Sequence, residues 1–356
     1  MTKEERIFLL SKSLQERIST GLAEYLPMSL HYTFAAQSFG SDPSSKGGDL
    51  NARETVSLLE VLQGGTNFLK KQSIEQPRLN VEYLLAHVLG IPRLELYLQF
   101  ERPLSESERA PLRDLLRQRG RGIPLQHLLG TTDFFGRTFR CDHRALIPRP
   151  ETEQLVERAL TYKNCHRILD VGTGSGVIAI TLALENRASQ VHAIDLSPEA
   201  LALAQENSAL HEISSIQWHH GDLLEPLSKK ETLSPFDLII ANLPYLTTSE
   251  IPTLAREVQH DPLMALDGGA NGLQFIEELI RQALKHLIPG GYLLLEIGKD
   301  QEKATMDLLQ QHNYRDINAL SDYQGVLRFI EGKRSDPSPL KEGSERTITD
   351  ETQNTQ

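Results

Sequence analysis

The stretch Arg167-Ile168-Leu169-Asp170-Val171-Gly172-Thr173-Gly174-Ser175-Gly176 decides the fold class of this chain. Its first half is a short apolar run, typical of a strand that is buried on both faces of a parallel sheet. The three glycines that follow allow a tight turn, and the sequence then predicts a helix over residues 175–186. A strand, a glycine turn and a helix in this order predict a βα unit of an α/β fold.

The pattern around this stretch supports the same fold class. Apolar runs predict further strands at 191–195, 215–219, 236–241 and 291–297, with helices at 198–209 and 272–287. Repeated βα units predict a doubly wound parallel sheet with right-handed crossovers. Near the end of this region, residues 317–320 and 326–330 flank a turn and predict a hairpin. The hairpin adds one antiparallel strand, which favours a seven-stranded, Rossmann-like class I methyltransferase domain over a dehydrogenase domain.

The glycine loop favours a nucleoside ligand over a pyrophosphate. Val177 stands where the dinucleotide pattern G-x-G-x-x-G requires a glycine. Asp195 ends the second predicted strand and can accept hydrogen bonds from both ribose hydroxyls. After the third strand, Asp222 can accept from an adenine amino group and Leu223 can flank the ring. We predict S-adenosylmethionine binding by Gly172, Thr173, Gly174, Ser175, Gly176, Asp195, Asp222 and Leu223; the alternative for the loop is a purely structural turn.

A second motif, Asn242-Leu243-Pro244-Tyr245, follows the apolar run 236–241. Loops at the carboxyl ends of parallel strands face the ligand crevice, so we also expect Asn242 to lie beside the cofactor. The Asn242 side-chain oxygen and the Leu243 carbonyl can accept the two N–H groups of one planar amide. Pro244 stiffens the turn, and Tyr245 can stack on the acceptor. The motif predicts methyl transfer to an amide or amine nitrogen; the alternative is an ordinary turn with Tyr245 in the core.

Other reactive side chains are interpreted as packing residues. This group comprises Trp218, His219, His220 and Glu296. The two cysteines, Cys141 and Cys165, have no C-x-x-C or His/Cys spacing, so we expect no metal site and a reducing cytoplasm.

The length of 356 residues predicts two domains. Val56, Leu59 and Leu62 recur at near-helical spacing, Asn80 can cap a second helix, and Ser105 can start a third that ends at Gly120. We expect a partly disordered extension over residues 1–50 and a helical substrate-docking domain over 51–130. A β-hairpin linker over 131–150 should lead to the methyltransferase domain over 151–332, followed by a disordered tail over 333–356.

Charge and hydropathy exclude several classes of protein. No run approaches the 18 consecutive apolar residues of a membrane span, and the N-terminus lacks the pattern of a signal peptide. The net charge of −11 is uneven: residues 51–150 carry +4 (15 Lys and Arg against 11 Asp and Glu), which leaves −15 elsewhere. An acidic catalytic half disfavours a nucleic-acid substrate. The arginines in 113–121 are interpreted as a solvated helix face, with an acidic or RNA-containing partner as the alternative.

With these motifs in view, the chain resembles the protein-(glutamine-N5) methyltransferases of peptide-chain release factors, the HemK/PrmC family. The resemblance covers roughly residues 50–332 and rests on Pro124–Gly130, Phe134–Gly136, Leu146–Glu153, Asp170–Gly176, Asn242–Tyr245 and Asp267–Leu273. It implies methylation of the glutamine in the Gly-Gly-Gln loop of release factors by a cytoplasmic enzyme, with the helical domain helping to dock them. We expect a monomer. Leu243 replaces the usual proline but keeps the backbone carbonyl, and Leu223 stands where an aromatic residue can occur.

Two rival functions remain open from the sequence. An adenine-N6 methyltransferase of nucleic acid would grip an adenine amino group in the same way, but it would need a basic groove and base flipping. A non-enzymatic module would use residues 51–121 to bind a translation partner beside a vestigial cofactor fold. The intact Asn242–Tyr245 motif disfavours the second rival.

Overall fold

The computed structural model describes residues 56–185, 190–228 and 234–335. The expected extension over residues 1–50 and the part of the expected tail from 336 to 356 lie outside the described residues. The prediction of a disordered tail is wrong for residues 333 and 334, because the last strand of the sheet continues to Arg334.

The N-terminal region is a small helical bundle, as expected. Strands β1 (Val56–Ser57) and β2 (Pro103–Leu104) pair at one end of it. Its helices are Leu58–Lys71, Pro77–Leu89, Glu106–Gly120 and Leu125–Leu129, with a 3₁₀ turn at Arg93–Leu98. Two of these helices begin with reciprocal caps, Ser57 with Glu60 and Ser105 with Glu108, which satisfy free N–H groups of the first turn. Their inner faces share an apolar core that includes Leu58, Leu62, Leu84, Leu85 and Leu112.

Two expectations for this bundle are wrong. Asn80 does not cap the second helix, which begins at Pro77; its buried side chain instead accepts a hydrogen bond from Arg119 Nε at 2.6 Å. Arg119 is therefore buried and cannot belong to a solvated arginine face. Arg113 and Arg117 do lie on the surface, where they pair with Glu106 and Asp114.

A β-hairpin follows the bundle, as the sequence predicts. Strands β3 (Thr131–Phe134) and β4 (Arg137–Arg140) pair in antiparallel fashion. Both residues of the turn, Phe135 and Gly136, have positive φ angles of 51° and 70°. This conformation matches the twist of the flanking strands in a two-residue hairpin.

The remaining strands form one seven-stranded sheet. In chain order they are β5 (Arg167–Val171), β6 (Gln190–Asp195), β7 (Gln217–His220), β8 (Phe236–Asn242), β9 (Leu287–Glu296), β10 (Tyr314–Ser321) and β11 (Leu327–Arg334). Their spatial order is β10-β11-β9-β8-β5-β6-β7. Within this sheet β11 runs opposite to the other six strands, so the expected class I methyltransferase architecture is confirmed.

Helices cover both faces of the sheet. Neighbouring residues of β5 point in opposite directions, so Ile168 and Leu169 belong to different apolar clusters. One cluster receives the helices Pro150–Leu160 and Val177–Glu185, and the other receives Gln274–Ala283 and Glu302–Gln311. A further helix, Pro198–Leu210, packs beside Val177–Glu185, and a short helix spans Glu225–Ser228. None of the helices in the described ranges is long and apolar enough to cross a membrane.

The topology places the two predicted motifs side by side. The chain runs from β5 outward to β7 and then crosses to β8, which pairs directly with β5. Loops after β5 and β8 therefore meet at the reversal of strand order, where open α/β sheets bind their ligands. Three 3₁₀ turns, Ile251–Thr253, Val258–His260 and Leu263–Ala265, connect β8 to the next helix.

Candidate active site

A cavity of about 570 Å³ lies at the carboxyl ends of the central strands. It collects most of the predicted site, since its lining includes Gly172, Thr173, Gly174, Ser175, Asp195, Asp222, Leu223, Asn242, Leu243 and Pro244. Gly176 and Tyr245 are not among its lining residues. The two motifs that lie about seventy residues apart in the sequence thus meet around one space.

The glycine loop is held from two sides. The backbone N–H groups of Gly172 and Thr173 both donate to the Ile194 carbonyl, at 2.9 and 3.0 Å. From below, the buried Asp170 carboxylate accepts from Thr173 Oγ1 at 2.6 Å and from Ala179 N–H at 3.1 Å. Burial raises the pKa of Asp170 to about 7, against these hydrogen bonds, which lower it. The loop is therefore fixed to β6 and to the first turn of the following helix.

Asp195 occupies the end of β6 and faces the same cavity. One carboxylate oxygen accepts from Gly174 N–H and the other from Ser197 N–H, both at 2.8 Å. Burial raises the pKa of Asp195, while these backbone hydrogen bonds lower it. Each oxygen keeps a further lone pair. The carboxylate is thus rigidly placed and can still accept from ligand hydroxyl groups.

Asp222 and Leu223 line the cavity where the chain leaves β7. Leu223 is buried in the apolar cluster that also receives the helices Gln274–Ala283 and Glu302–Gln311. Its φ angle is positive, at 42°, so the backbone turns sharply at this point. The two residues present an acidic group and an apolar surface next to each other.

Asn242 is the last residue of β8, and its orientation is set by two residues from other elements. Its Nδ2 donates to Thr152 Oγ1 at 3.1 Å, and the Thr152 hydroxyl donates to Glu296 Oε2 at 2.8 Å. Thr152 and Glu296 are both buried, and Thr152 also lines the cavity. With its nitrogen engaged in this way, the Asn242 carboxamide can turn its oxygen towards the cavity.

The rest of the motif is held through its backbone. The Tyr245 carbonyl accepts from Gln301 Nε2 at 2.8 Å. Gly268 and Gly272, from the run Asp267–Leu273, lie against the main chain of Pro244 and Tyr245. The Tyr245 ring packs on the apolar cluster below, and burial raises its pKa to about 12. Stacking of Tyr245 on an acceptor stays a prediction.

The sequence misses part of the cavity wall. Residues between Arg144 and Arg149 line it, as do the exposed side chains of Leu263 and Met264. Arg149 holds these two segments together, because it pairs with Asp261 Oδ2 at 2.7 Å. The run Leu146–Glu153 carries part of the family resemblance, but no local pattern in it, or in the sequence around Leu263, indicates a place at the site.

The side chains interpreted as packing residues are mostly internal. His219 is buried and stacks on His192, with 3.1 Å between the ring nitrogens. His220 is exposed, so the packing interpretation is wrong for it, and its Nε2 lies 3.0 Å from the Leu196 carbonyl. Trp218 is half-buried against an apolar cluster. Glu296 differs from the expectation, since it joins the hydrogen-bonded chain behind Asn242.

Comparison with known proteins gives two family matches. Residues 60–130 match a family described as PrmC N-terminal domain, and residues 163–335 match one described as Methyltransferase domain. Among curated proteins, the release factor glutamine methyltransferase of Geobacter sulfurreducens is 36% identical over 282 residues, covering 79% of this chain and 98% of that protein.

Two further relatives carry the same description. The protein from Chlorobaculum tepidum is 38% identical, covering 77% of this chain and 96% of its own length. The protein from Deinococcus radiodurans is 36% identical, covering 79% and 99%.

This chain belongs to the release factor glutamine methyltransferase family. The similarity to its relatives extends over almost their whole length, so it includes the helical bundle as well as the sheet. Leu243, which stands where the usual motif has a proline, has a buried side chain.

Proposed function

We propose that this protein transfers a methyl group from S-adenosylmethionine to the side-chain amide nitrogen of the glutamine in the Gly-Gly-Gln motif of release factors. The observation that carries the proposal is the meeting of the glycine loop and Asp195 with Asn242 around one cavity. Strands β5 and β8 are direct neighbours. This adjacency supports the proposal, since a methyl donor held after β5 and an amide acceptor held after β8 would lie within reach of each other.

The cavity suits the cofactor by its chemistry. Asp195 faces it with both oxygens already fixed by backbone N–H groups, as a ribose site requires. Asp222 and Leu223 line the same cavity, where Asp222 suits an adenine amino group and Leu223 suits the face of the ring. The loop Gly172–Gly176 leads into a helix whose first N–H groups suit the amino-acid carboxylate. When bound, the cofactor supplies an electrophilic methyl group on its sulfonium.

The acceptor side must overcome a specific chemical problem. An amide nitrogen is a poor nucleophile because resonance delocalises its lone pair. The Asn242 side-chain oxygen and the Leu243 carbonyl can accept both N–H hydrogens of the glutamine, which aims the nitrogen at the methyl group. The nitrogen becomes acidic only as the new bond forms, so the residues need only hold it and let the proton leave afterwards.

We also propose the division of labour along the chain. Residues 51–130 would form the docking domain, 131–150 the hairpin linker and 151–334 the methyltransferase domain, whose last strand ends at Arg334. An ion pair connects the helical bundle to the cavity wall. Arg119 of the bundle pairs with Glu257, which lies in the segment that leads to the lining residues Leu263 and Met264. The acidic catalytic half supports a protein substrate over a nucleic-acid substrate. A monomeric state and a cytoplasmic location belong to the same proposal.

The test is incubation of release factor with S-adenosylmethionine followed by peptide mass spectrometry. We expect one added methyl group on the motif glutamine. Asn242→Ala should abolish turnover while cofactor affinity falls less than about tenfold, since the cofactor keeps its other contacts. Asn318→Ala, on the edge strand β10 away from the cavity, is the matched control. Methylation of ribosomal RNA or DNA alone, with unmodified release factor, would overturn the proposal in favour of an adenine-N6 methyltransferase.

A further inference from the structure

A chain of hydrogen bonds links Asn242 to two buried residues behind it. The three residues come from different elements: Asn242 ends β8, Glu296 ends β9, and Thr152 lies in the first turn of the helix Pro150–Leu160. Asn242 and Glu296 are partners in the register of these neighbouring strands. Thr152 bridges them, at 3.1 Å from Asn242 Nδ2 and 2.8 Å from Glu296 Oε2. Glu296 is 1% exposed and Thr152 3%, so water does not compete for these groups.

The charge of Glu296 fixes the direction of every bond in this chain. An ionised carboxylate only accepts hydrogen bonds, so the single hydroxyl proton of Thr152 must point to Glu296. Thr152 Oγ1 can then only accept, and its partner must be the Asn242 amide nitrogen. The carboxamide oxygen of Asn242 is left facing the cavity, which is the orientation that a glutamine NH2 group requires.

Protonation of Glu296 removes this bias. A neutral carboxyl can donate to Thr152, and the Thr152 hydroxyl is then free to donate to the Asn242 oxygen. The carboxamide would turn over and present its NH2 group to the cavity. Two NH2 groups facing each other cannot form a hydrogen bond, so the acceptor glutamine would lose one of its two anchors.

We propose that Glu296, acting through Thr152, sets which end of the Asn242 carboxamide faces the cavity. Thr152 and Glu296 are positioning residues, since neither is required to touch the cofactor or the acceptor. The proposal rests on the proposed function, which assigns the Asn242 oxygen to the acceptor glutamine. It predicts that the enzyme is active only with Glu296 ionised.

The surroundings of Glu296 place its proton equilibrium near neutrality. Burial raises its pKa to about 7; the hydrogen bond from Thr152 and the positive charge of Arg328 lower it, and the Glu151 carboxylate raises it. Arg328 comes from β11 and is itself paired with Asp322 at 2.9 Å. Tyr245 also faces this group from the loop after β8, with its own pKa raised to about 12, so it stays neutral. Activity should therefore fall as the pH drops through about 7.

The first experiment compares two substitutions at position 152 in the full-length protein with release factor as substrate. Thr152→Val removes the hydroxyl at nearly constant volume, and kcat should fall about tenfold or more while the dissociation constant for S-adenosylmethionine changes less than about threefold. Thr152→Ser restores the hydroxyl and should recover most of kcat. Thr161→Val is the control. Thr161 is exposed and lies directly after the helix Pro150–Leu160 that carries Thr152, so this variant should behave as the wild type.

The second experiment is the pH profile of kcat at saturating substrates. The wild type should lose activity below about pH 7, and Glu296→Gln, which cannot ionise, should have low activity without this limb. Cofactor binding, measured in parallel, reports whether each variant is folded, and the wild-type profile tests the proposal even where a variant does not fold. A wild type without the acidic limb, a limb that persists in Glu296→Gln, or full activity of Thr152→Val would each overturn the proposal.

These outcomes separate this inference from the proposed function. If Asn242→Ala is inactive while Thr152→Val is fully active, the positioning role is refuted and the assignment of Asn242 stands. If Asn242→Ala retains full turnover, the acceptor site itself is wrong, and the positioning role falls with it.

Discussion

The side chain of Leu243 lies directly over Gly172. A Cβ atom built on Gly172 would approach Leu243 Cδ2 to 2.9 Å, and the φ angle of Gly172 is +71°. Leu243 is 5% exposed, so this contact is internal. The first residue of the cofactor loop and the second residue of the acceptor motif are therefore in contact. The residue that replaces the usual proline of the family thus fills the gap between the two halves of the site.

This contact predicts a measurable coupling between the two positions. Gly172→Ala should lower the free energy of unfolding by about 2–4 kcal/mol, because the new methyl group clashes with Leu243 and the left-handed backbone is strained. In a Leu243→Ala background the clash is absent, and the same substitution should cost only about 1–2 kcal/mol. Urea denaturation of the four proteins measures the difference. Additivity within about 0.5 kcal/mol would show that the two residues do not press on each other.

The other two loop glycines should respond differently to alanine. A Cβ on Gly176 would lie 3.0 Å from both Ala204 Cβ and Ile180 Cδ1, whereas the nearest atom to a Cβ on Gly174 is Ala145 Cβ at 3.9 Å. Both glycines have positive φ, but only Gly174 lines the cavity. Gly176→Ala should mainly lower stability, by about 2–4 kcal/mol. Gly174→Ala should lose about 1–2 kcal/mol through backbone strain and weaken cofactor binding about tenfold or more.

Calorimetric titration with S-adenosylmethionine and urea denaturation of both variants test this contrast. Equal losses of stability in the two variants, with unchanged cofactor affinity in Gly174→Ala, would contradict it.

What the sequence could predict depended on local patterns. The loop Gly172–Gly176, Asp195 and the motif Asn242–Tyr245 follow strands, and the ends of parallel strands share one edge of the sheet. That rule needs no knowledge of packing, so these residues could be placed together from periodicity and turn residues alone.

The residues behind the site could not be found in this way. Thr152 and Glu296 lie 144 positions apart, and no local pattern indicates that their side chains meet. For Asn80 a local pattern gives the wrong role. Asparagine generally favours helix caps, but the Asn80 side chain instead accepts a hydrogen bond from Arg119 within the bundle. The sequence also predicts β9 to start at residue 291, whereas the strand spans Leu287–Glu296. Pro289-Gly290-Gly291 is typical of a turn but lies inside the strand.

The ion pair of Arg119 with Glu257 connects the helical bundle to the segment that leads to the cavity wall. Arg119 is 2% exposed and also donates to Asn80 and to the Ile123 carbonyl. Glu257→Ala would leave a buried guanidinium without its carboxylate, and should lower the free energy of unfolding by about 1–3 kcal/mol. Thermal and urea unfolding measure this loss.

Glu257→Gln keeps a hydrogen-bond acceptor at this position and should lose less stability than Glu257→Ala. Glu95→Ala removes an exposed glutamate from the same bundle and should change stability by less than about 0.5 kcal/mol. An effect of Glu257→Ala no larger than that of Glu95→Ala would mean that the ion pair does not hold the segment in solution.

The pKa of Glu296 also predicts how stability depends on pH. Its value in the folded protein is about 7, raised by burial from an ordinary value of 4.5. Between these values the folded protein binds this proton and the unfolded chain does not. Stability contributed by the bound proton is therefore lost as the pH rises from about 4.5 to about 7. Asp170, with a pKa of about 7 for the same reason, acts in the same direction and remains in every Glu296 variant.

Glu296→Gln removes only the Glu296 contribution. The free energy of unfolding of the variant relative to the wild type should therefore increase between about pH 5 and about pH 8, by on the order of 2 kcal/mol. Urea denaturation of both proteins across this range measures the difference. A difference that does not change with pH would mean that Glu296 is already ionised in the folded protein at pH 5, and the hydrogen bond from Thr152 and the charge of Arg328 would then outweigh its burial.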